Sequence, residues 1–472
     1  MSIGTLFLSL FANKKSMINL LSISDLIRSA GEYLLMFSNW IWGMPLFLLL
    51  IGGGLYFLIY SGFVPFRFYV RALKALKKRE NDAPGQISSF EALASAIAST
   101  VGMGNISGVA VALTMGGPGA IFWMWVSAVV GMATKFFEGT LAIMYKGTDS
   151  AGEKQGGPMY MITEGLGPKW KPMAIFFSIF GLIGTFCLMQ ANQLTEAITT
   201  VFTTPAGIEN TIGLRLAIGV LITLIVSVVV LGGIQRISKV ATKVVPTMVG
   251  IYFIIVAVII FTNLEAVPGV FRSIFEGAFD FKAGIGGLAG CAIVIGARRA
   301  AFVNEAGVGT ASMMHGASKN SEPVREGLVA MLGPSIDSGL VCTLTALAIL
   351  INGHYDFGQI RGIEIAMNSF EASLPGVGHY LLMLVVFFFA FSTMFSYSYY
   401  GVKCTNFLIG AKYSHYYNYL FLATLVLGSV ITLDAVVGII DSAYALMAIP
   451  TMTTLLLLSP KVKQAMKLYF KK

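Results

Sequence analysis

Charged side chains are scarce in this sequence. Asp, Glu, Lys and Arg together make up 12% of its 472 residues, whereas soluble domains contain about 25%. Hydrophobic residues make up 56% of the chain, and the mean hydropathy is +0.78. This composition excludes a soluble globular protein and leaves no room for a large soluble domain. It predicts a polytopic protein embedded in a lipid bilayer.

Cysteine and histidine are also scarce, with four of each. The cysteines lie in apolar segments without CxxC spacing, which argues against a disulfide framework or a metal site and favours small core residues. They are Cys187, Cys291, Cys342 and Cys404. The histidines are scattered in loops or at the ends of apolar runs, so we expect no zinc site. HExxH and P-loop motifs are absent, which argues against a zinc protease and an ATP-driven pump.

Apolar runs separated by turn signals predict eleven helical spans. The spans fall near 42–64, 91–115, 119–145, 172–200, 213–233, 239–262, 284–313, 326–351, 378–408, 416–432 and 434–458. Lys and Arg cluster in alternate short connections, which the positive-inside rule places in the cytoplasm. The net charge of +9 therefore predicts an orientation, with the N-terminus outside and the C-terminus in the cytoplasm, and does not indicate a nucleic-acid partner.

The most informative stretch is Ser99–Gly108, inside the second span. Glycines at 102, 104 and 108 weaken a helix there, because Gly costs about 1 kcal/mol relative to Ala in a helix interior. A broken helix in lipid is tolerated only where its free backbone groups face protein, ligand or water. The stretch therefore predicts a midplane site for a small polar solute and a cation. Close helix packing through small residues is the alternative.

The pattern G-x-G-polar-x-Ser occurs in both the second and the seventh span, at Gly102–Ser107 and Gly307–Ser312. Because the two spans are five apart, the copies run in opposite directions, as in the inverted-topology repeats of secondary transporters. Chance similarity is the alternative in a chain with 52 glycines. The break in the seventh span is not fixed by the sequence, since Gly286-Gly287, Gly296 and Asn304–Gly309 all compete for it.

Several of these segments resemble the alanine/glycine:cation symporter family, also called sodium:alanine symporters. The motifs of the resemblance are Ser99–Gly108, Gly116–Trp125, Gly131–Phe136, Asn304–Gly309, Phe391–Thr393 and Tyr397–Gly401. It runs from about Trp42 to the C-terminus. It implies a member of the amino acid–polyamine–organocation superfamily, an all-α membrane protein with about eleven transmembrane helices. The implied fold is a leucine-transporter-like inverted repeat of five plus five helices after one N-terminal helix.

The resemblance divides the chain into five segments. They are an N-terminal segment with a candidate interfacial helix (1–41), an extra transmembrane helix with a basic cytoplasmic loop (42–90), a first five-helix repeat (91–262), a second, inverted five-helix repeat (284–458) and a basic cytoplasmic tail (459–472).

A zwitterionic amino acid needs one partner for its carboxylate and another for its ammonium group. Free N–H groups at a half-helix N-terminus can hold a carboxylate, and by resemblance the break in the second span does so. Amides in the apolar fourth span are expected to face the bundle interior, either at the substrate or in a helix–helix hydrogen bond. The expected substrate-binding residues are Thr100, Gly102, Gly104, Asn105, Gln190, Asn192, Gly307, Gly309 and Tyr397.

Sodium needs several oxygen ligands, which adjacent hydroxyls on one helix and carbonyls of a broken helix can supply. Ser392 and Thr393 form such a pair in the ninth span. By resemblance to the superfamily, they act with the backbone carbonyls of Ala98 and Val101. The alternative for both hydroxyls is a hydrogen bond to a carbonyl one turn earlier in their own helix.

Three positions depart from the family pattern. Ser396-Tyr397 stand where the family usually has Gly-Trp, and Val402 stands where it usually has Glu. These differences leave room for a neutral amino acid larger than alanine or glycine, such as glutamine or serine. Among the ionisable residues expected at membrane depth, Lys135 and Asp337 are our candidates for a cytoplasmic gate. Snorkelling to the interface is the alternative for such side chains.

Together these features indicate a sodium-coupled symporter that imports a small neutral amino acid by alternating access in the cytoplasmic membrane. A proton-coupled amino acid transporter of the same fold, with a different substrate, is the alternative. A channel would need a filter motif or rings of charge, which we do not find, and no enzyme motif stands in a convincing context. We expect a monomer with no cofactor apart from the co-transported Na⁺.

Overall fold

The computed structural model describes residues 33–34, 36–38, 40–77, 83–279, 288–353 and 362–471. This part of the chain is mostly helical. The helices are α1 Met44–Tyr60, α2 Val64–Arg67, α3 Tyr69–Ala75, α4 Ser89–Thr100, α5 Gly104–Gly116, α6 Gly119–Met144, α7 Pro158–Tyr160, α8 Lys171–Gly184, α9 Leu188–Ile198, α10 Ile212–Val230, α11 Gly233–Thr262, α12 Val267–Phe279, α13 Leu288–Asn304, α14 Thr310–His315, α15 Pro323–Leu350, α16 Ile363–Ser373, α17 Gly378–Ile409, α18 Ala411–Ser414, α19 Tyr416–Val430 and α20 Leu433–Lys471. A short antiparallel hairpin pairs β1 Gly147–Thr148 with β2 Lys154–Gln155.

Seven stretches of helix in the described residues are long and apolar enough to cross a membrane, and the bent pair α4–α5 raises the number to eight. Helices α10 and α11 have apolar side chains exposed on the outer surface of the protein, such as Val228 (66% exposed) and Phe261 (72% exposed). Helices α6, α17 and α20 are mostly buried. A membrane protein with an inner bundle and lipid-facing helices follows from this distribution. The count of eleven spans, the paired five-helix repeats and the segment boundaries stay predictions.

The predicted break in the second span lies between α4 and α5, which bend by 55°. Helix α4 begins with a capping box. The Ser88 hydroxyl accepts a hydrogen bond from the Glu91 backbone amide, and the Glu91 carboxylate accepts one from the Ser88 backbone amide. It ends where Val101 adopts an extended backbone, with φ −77° and ψ 94°. Gly102 follows, and helix resumes at Gly104 as a π-helical turn.

The break in the seventh span falls at 305–309, between α13 and α14. Three residues there have positive φ angles, Glu305 (54°), Gly307 (87°) and Gly309 (101°). Gly296, one of the competing positions, lies inside the continuous helix α13 and packs against the backbone of Ala120. Gly286-Gly287 lie outside the described residues.

Two connections contain helices that the apolar runs do not predict. Helix α12 lies in the connection 263–283 because Val270, Ile274 and Ala278 recur every fourth residue and are buried. Helix α16 lies in the connection before the ninth span.

The last helix also extends beyond its predicted end. Helix α20 continues through the segment 459–471, where Val462 and Met466 are buried and the Phe470 ring stacks on Phe68. Three cysteines are buried, as expected of core residues: Cys187, Cys342 and Cys404. The side chain of Cys291 and nearly all of the candidate interfacial helix within 1–41 lie outside the described residues.

Candidate substrate and cation site

A small central cavity of about 20 Å³ lies at the α4–α5 break, between that break and helices α9, α13, α17 and α20. Five of the residues expected to bind the substrate line it: Thr100, Gly102, Gly104, Gln190 and Tyr397. Glu305 and Tyr444 line it as well. The cavity therefore has a broken helix on one side and a carboxylate on another.

The Glu305 carboxylate is the main charged group of the cavity. It is 2% exposed and lies directly after α13, where its positive φ angle turns the chain out of the helix. One carboxylate oxygen accepts hydrogen bonds from the hydroxyls of Tyr397 and Tyr444, the latter at 3.2 Å. The other oxygen accepts a hydrogen bond from the Thr310 hydroxyl. The two tyrosine oxygens also contact each other. Three hydroxyl groups thus hold this carboxylate in a fixed position at the cavity wall.

Asn105 holds the α4–α5 break in shape. Its Oδ1 accepts a hydrogen bond from the Gly102 backbone amide at 2.9 Å. Its Nδ2 donates to the backbone carbonyl of Asp337 at 3.3 Å and to Cys342 Sγ at 3.5 Å. In a continuous helix the Gly102 amide would donate to the carbonyl of Ala98. Because Asn105 takes this amide instead, the Ala98 carbonyl is released from the helical hydrogen-bond pattern.

The hydroxyl pair on α17 lies beside this break. Thr393 donates to the Phe389 carbonyl at 2.9 Å, and Ser392 contacts the same carbonyl at 3.1 Å and Met248 Sδ at 3.5 Å. Each hydroxyl uses its single proton in this way, so its oxygen lone pairs stay available. Thr393 Oγ1 lies so close to Gly102 that a Cβ atom there would collide with it.

Four of the residues expected at the substrate do not line the cavity. Asn105 is engaged in the break, as described above. Asn192 faces α19 and donates to the carbonyls of Gly428 at 3.2 Å and Ile431 at 2.7 Å. Gly307 and Gly309 pack against Met452 and Thr451 respectively. Their positive φ angles make the turn that positions Glu305, so their contribution to the cavity is indirect.

The two gate candidates are fully within the protein, with Lys135 3% exposed and Asp337 0% exposed. The Lys135 ammonium interacts electrostatically with three carboxylates, those of Glu138, Glu305 and Asp337. One oxygen of Glu138 accepts the Gly307 amide at 2.5 Å. Lys135 and Asp337 thus lie beside the two helix breaks. The gate role itself stays a prediction.

The ion pair between α13 and α20 adds to the buried charges. Arg298 and Asp441 approach to 3.1 Å, and the Trp42 indole donates to the Asp441 carbonyl at 2.7 Å. This contact ties the segment before α1 to the second half of the chain.

Glu305 and Tyr444 are two of the cavity residues that the sequence does not identify as substrate contacts. Glu305 belongs to the family motif Asn304–Gly309, and the sequence alone assigns it no role. Its signal is an acidic residue directly before the Gly307/Gly309 pair in an apolar span, because such a charge requires partners inside the bundle. Tyr444 has no comparable signal, since an aromatic residue in an apolar helix is ordinarily a core residue.

Comparison with known proteins gives a consistent result along the chain. The model of the sodium:alanine symporter family matches residues 28–472. The sodium/alanine symporter AgcS of Methanococcus maripaludis is 37% identical over 442 residues, which cover 92% of this chain and 95% of that protein. The probable sodium/glutamine symporter GlnT of Bacillus subtilis is 32% identical over 436 residues, which cover 91% of this chain and 88% of that protein.

Among solved structures, MhsT in complex with L-phenylalanine matches with a TM-score of 0.57 at 15% identity. The match covers 78% of this chain and 89% of that one, which shows a shared leucine-transporter-like fold. The family match extends over nearly the whole chain and agrees with the apolar helices and the two helix breaks. The chain therefore belongs to the sodium:alanine symporter family, whose members are multi-pass membrane transporters and not enzymes.

Proposed function

We propose that this protein imports a small neutral amino acid together with sodium, by alternating access around the central cavity. The observation that carries the proposal is the pairing of a helix break with a buried carboxylate at one cavity. Amides at the start of α5 favour an anion. Glu305 on the opposing α13 break favours a cation. A zwitterionic amino acid has both charges, separated by a few atoms.

In this arrangement the substrate carboxylate lies at Gly102 and Gly104, and the substrate ammonium group lies at Glu305. Gln190 and Tyr397 provide polar atoms between the two ends. The Tyr397 and Tyr444 hydroxyls keep the Glu305 carboxylate oriented toward the cavity. Asn192, Gly307 and Gly309 then act behind the cavity wall.

The proposed sodium ion lies between α17 and the α4–α5 break. Its ligands are the Ser392 and Thr393 hydroxyls and the carbonyls of Ala98 and Val101. Two facts support this proposal. The Gly102 amide donates to Asn105, so the Ala98 carbonyl does not accept the helical hydrogen bond from it. Thr393 Oγ1 packs against Gly102. Because the sodium and the substrate share one helix break, each stabilises the geometry that binds the other.

We expect a small substrate, because the free volume of the central cavity is only about 20 Å³ in this conformation. Alanine, glycine and serine fit this proposal, and glutamine is the largest candidate. The relatives named for sodium/alanine and sodium/glutamine symport support the same group of substrates. We further propose a monomer in the cytoplasmic membrane, with its N-terminus outside and its C-terminus inside.

Competition against radiolabelled alanine tests both ends of the proposed substrate site in purified protein. Wild type is expected to bind alanine, and to bind alaninamide and propionate much more weakly, since each of these lacks one of the two charges. Glu305→Gln is expected to weaken alanine binding roughly 10- to 150-fold, because a hydrogen bond to a charged group contributes about 1.5–3 kcal/mol.

Glu276→Gln is the matched control, because Glu276 is 63% exposed and pairs with Arg272 one turn away on α12. This variant is expected to bind alanine as wild type does. The proposal fails if Glu305→Gln binds alanine normally while propionate competes as well as alanine.

A further inference from the structure

A second cavity, of about 320 Å³, shares no lining residue with the central cavity. Its volume falls within the 300–1,000 Å³ range of small-ligand sites. One wall is apolar and comes from the turn between α10 and α11 and from the start of α11: Val230, Leu231, Ile234 and Ile237. Another wall is polar and comes from the last turns of α17 and from α19: Tyr399, Lys403, Asn406 and Asn418. The cavity therefore suits a ligand with both a polar and an apolar part.

Lys403 places a buried cation at this cavity. The residue is 3% exposed. Its ammonium group donates to the side-chain oxygen of Gln155 and lies 5.1 Å from the centre of the Tyr399 ring. Within the described residues Lys403 forms no ion pair with a carboxylate. A buried charge without an oppositely charged partner is strongly unfavourable, so an anion in the cavity would stabilise this lysine.

Asp149 lies near Lys403 but is already supplied with N–H donors. Its Oδ1 accepts two backbone amides of the hairpin connection, at 2.9 and 3.0 Å. Its Oδ2 accepts the side-chain amides of Gln155 at 2.7 Å and Asn406 at 2.9 Å. A second ammonium group, that of Lys146, adds to the positive potential at Lys403. The lysine therefore keeps a position for an anion from outside the chain.

The surroundings of the cavity are those of a membrane surface. Leu231 in its apolar wall is 52% exposed, and Val228 one turn earlier is also exposed. Three tyrosines of α18 and α19 have exposed rings: Tyr413, Tyr416 and Tyr419. Tyrosine is enriched where a membrane protein meets the lipid headgroups. In the proposed orientation, this end of α17 lies at the cytoplasmic leaflet.

We propose that this cavity binds the headgroup of an anionic phospholipid, with the phosphate at Lys403 and the acyl chains along the exposed apolar face of α10 and α11. Basic pockets between transmembrane helices on the cytoplasmic side bind anionic headgroups. A free anion would leave the apolar wall unused, and a zwitterionic headgroup would bring its own ammonium group toward Lys403. Asn406 Oδ1, which has no hydrogen-bond partner of standard geometry, can accept a headgroup hydroxyl.

The test is the melting temperature of detergent-solubilised protein at increasing concentrations of phosphatidylglycerol, or of phosphatidylethanolamine with the same acyl chains. Phosphatidylglycerol is expected to raise the melting temperature of wild type in one saturable step, since a ligand that binds the folded state stabilises it. Phosphatidylethanolamine is expected to have little effect. Lys403→Gln is expected to raise the phosphatidylglycerol concentration for half-maximal stabilisation at least roughly tenfold, because it removes a hydrogen bond between two charged groups.

Two further variants make the test specific. Lys412→Gln is the matched control, because Lys412 is exposed on α18 and lies over the Tyr413 ring, and it is expected to respond as wild type. Val402→Glu places a carboxylate in the wall of the same cavity, so it is expected to lose the response to phosphatidylglycerol. This variant decides the question if Lys403→Gln does not fold.

Three results would overturn the lipid site. Equal stabilisation of wild type, Lys403→Gln and Val402→Glu by phosphatidylglycerol would place the lipid elsewhere. An equal loss in Lys412→Gln would reduce the effect to general surface charge. Stabilisation of wild type by inorganic phosphate at constant ionic strength, lost in Lys403→Gln, would assign the cavity to a soluble anion.

Discussion

Gly102→Ala tests whether the helix break and the hydroxyl pair on α17 form one sodium site. A Cβ atom at Gly102 would overlap Thr393 Oγ1, and the Phe389 carbonyl would lie 3.6 Å from it. Overpacking of this kind costs about 1–3 kcal/mol. If this overlap destabilises the sodium-bound geometry, the sodium concentration for half-maximal uptake rises roughly 5- to 150-fold, because each 1.4 kcal/mol or so of binding free energy corresponds to a tenfold change in affinity.

Gly104→Ala is a close control in the same break. The nearest side-chain atom to a Cβ there is Val303 Cγ2 at 3.6 Å, which is an ordinary contact. We expect little change in sodium dependence for this variant. The double variant Gly102→Ala with Thr393→Ala removes the overlap and the ligand together, so its melting temperature should recover while its sodium affinity stays low. A Gly102→Ala protein with wild-type sodium affinity would refute the reasoning.

Three further changes have defined outcomes. Tyr397→Trp enlarges the side chain and removes the hydroxyl that donates to Glu305. Glutamine should then compete with alanine uptake at least roughly tenfold less well than in wild type. Equal competition in the two proteins would contradict the assigned role of Tyr397. Lys135→Gln and Asp337→Asn should each slow alanine uptake, and normal uptake in both variants would exclude the proposed gate. Ser88→Ala removes the cap of α4 and should cost about 1 kcal/mol of stability, read as a lower melting temperature with the transport substrate unchanged.

The helix break in the second span was predictable because its glycines follow one another closely in an otherwise apolar run. In the seventh span three glycine-containing stretches compete, and the sequence supports Gly307 and Gly309 only as a nominal choice. Only the backbone decides between them, through the positive φ angles at 305–309. Helix α12 was missed because its apolar residues form a single stripe and not a continuous run.

Side-chain direction limited the prediction of the site more than residue identity did. Gln190 and Asn192 are two residues apart, which places them on nearly opposite faces of α9. Only Gln190 lines the cavity, while Asn192 bonds to backbone carbonyls of α19 and the residue after it. Glu305 reaches the cavity because its backbone turns out of the helix, a conformation that non-glycine residues seldom adopt.

The most direct test of the account is uptake of radiolabelled alanine and glutamine into proteoliposomes with and without an inward sodium gradient. The account predicts accumulation of at least one of them above the equilibrium level, only when sodium is higher outside, and loss of this stimulation in Thr393→Ala. Folded wild-type protein that shows no sodium stimulation with either amino acid would contradict sodium-coupled import and the assigned sodium ligands.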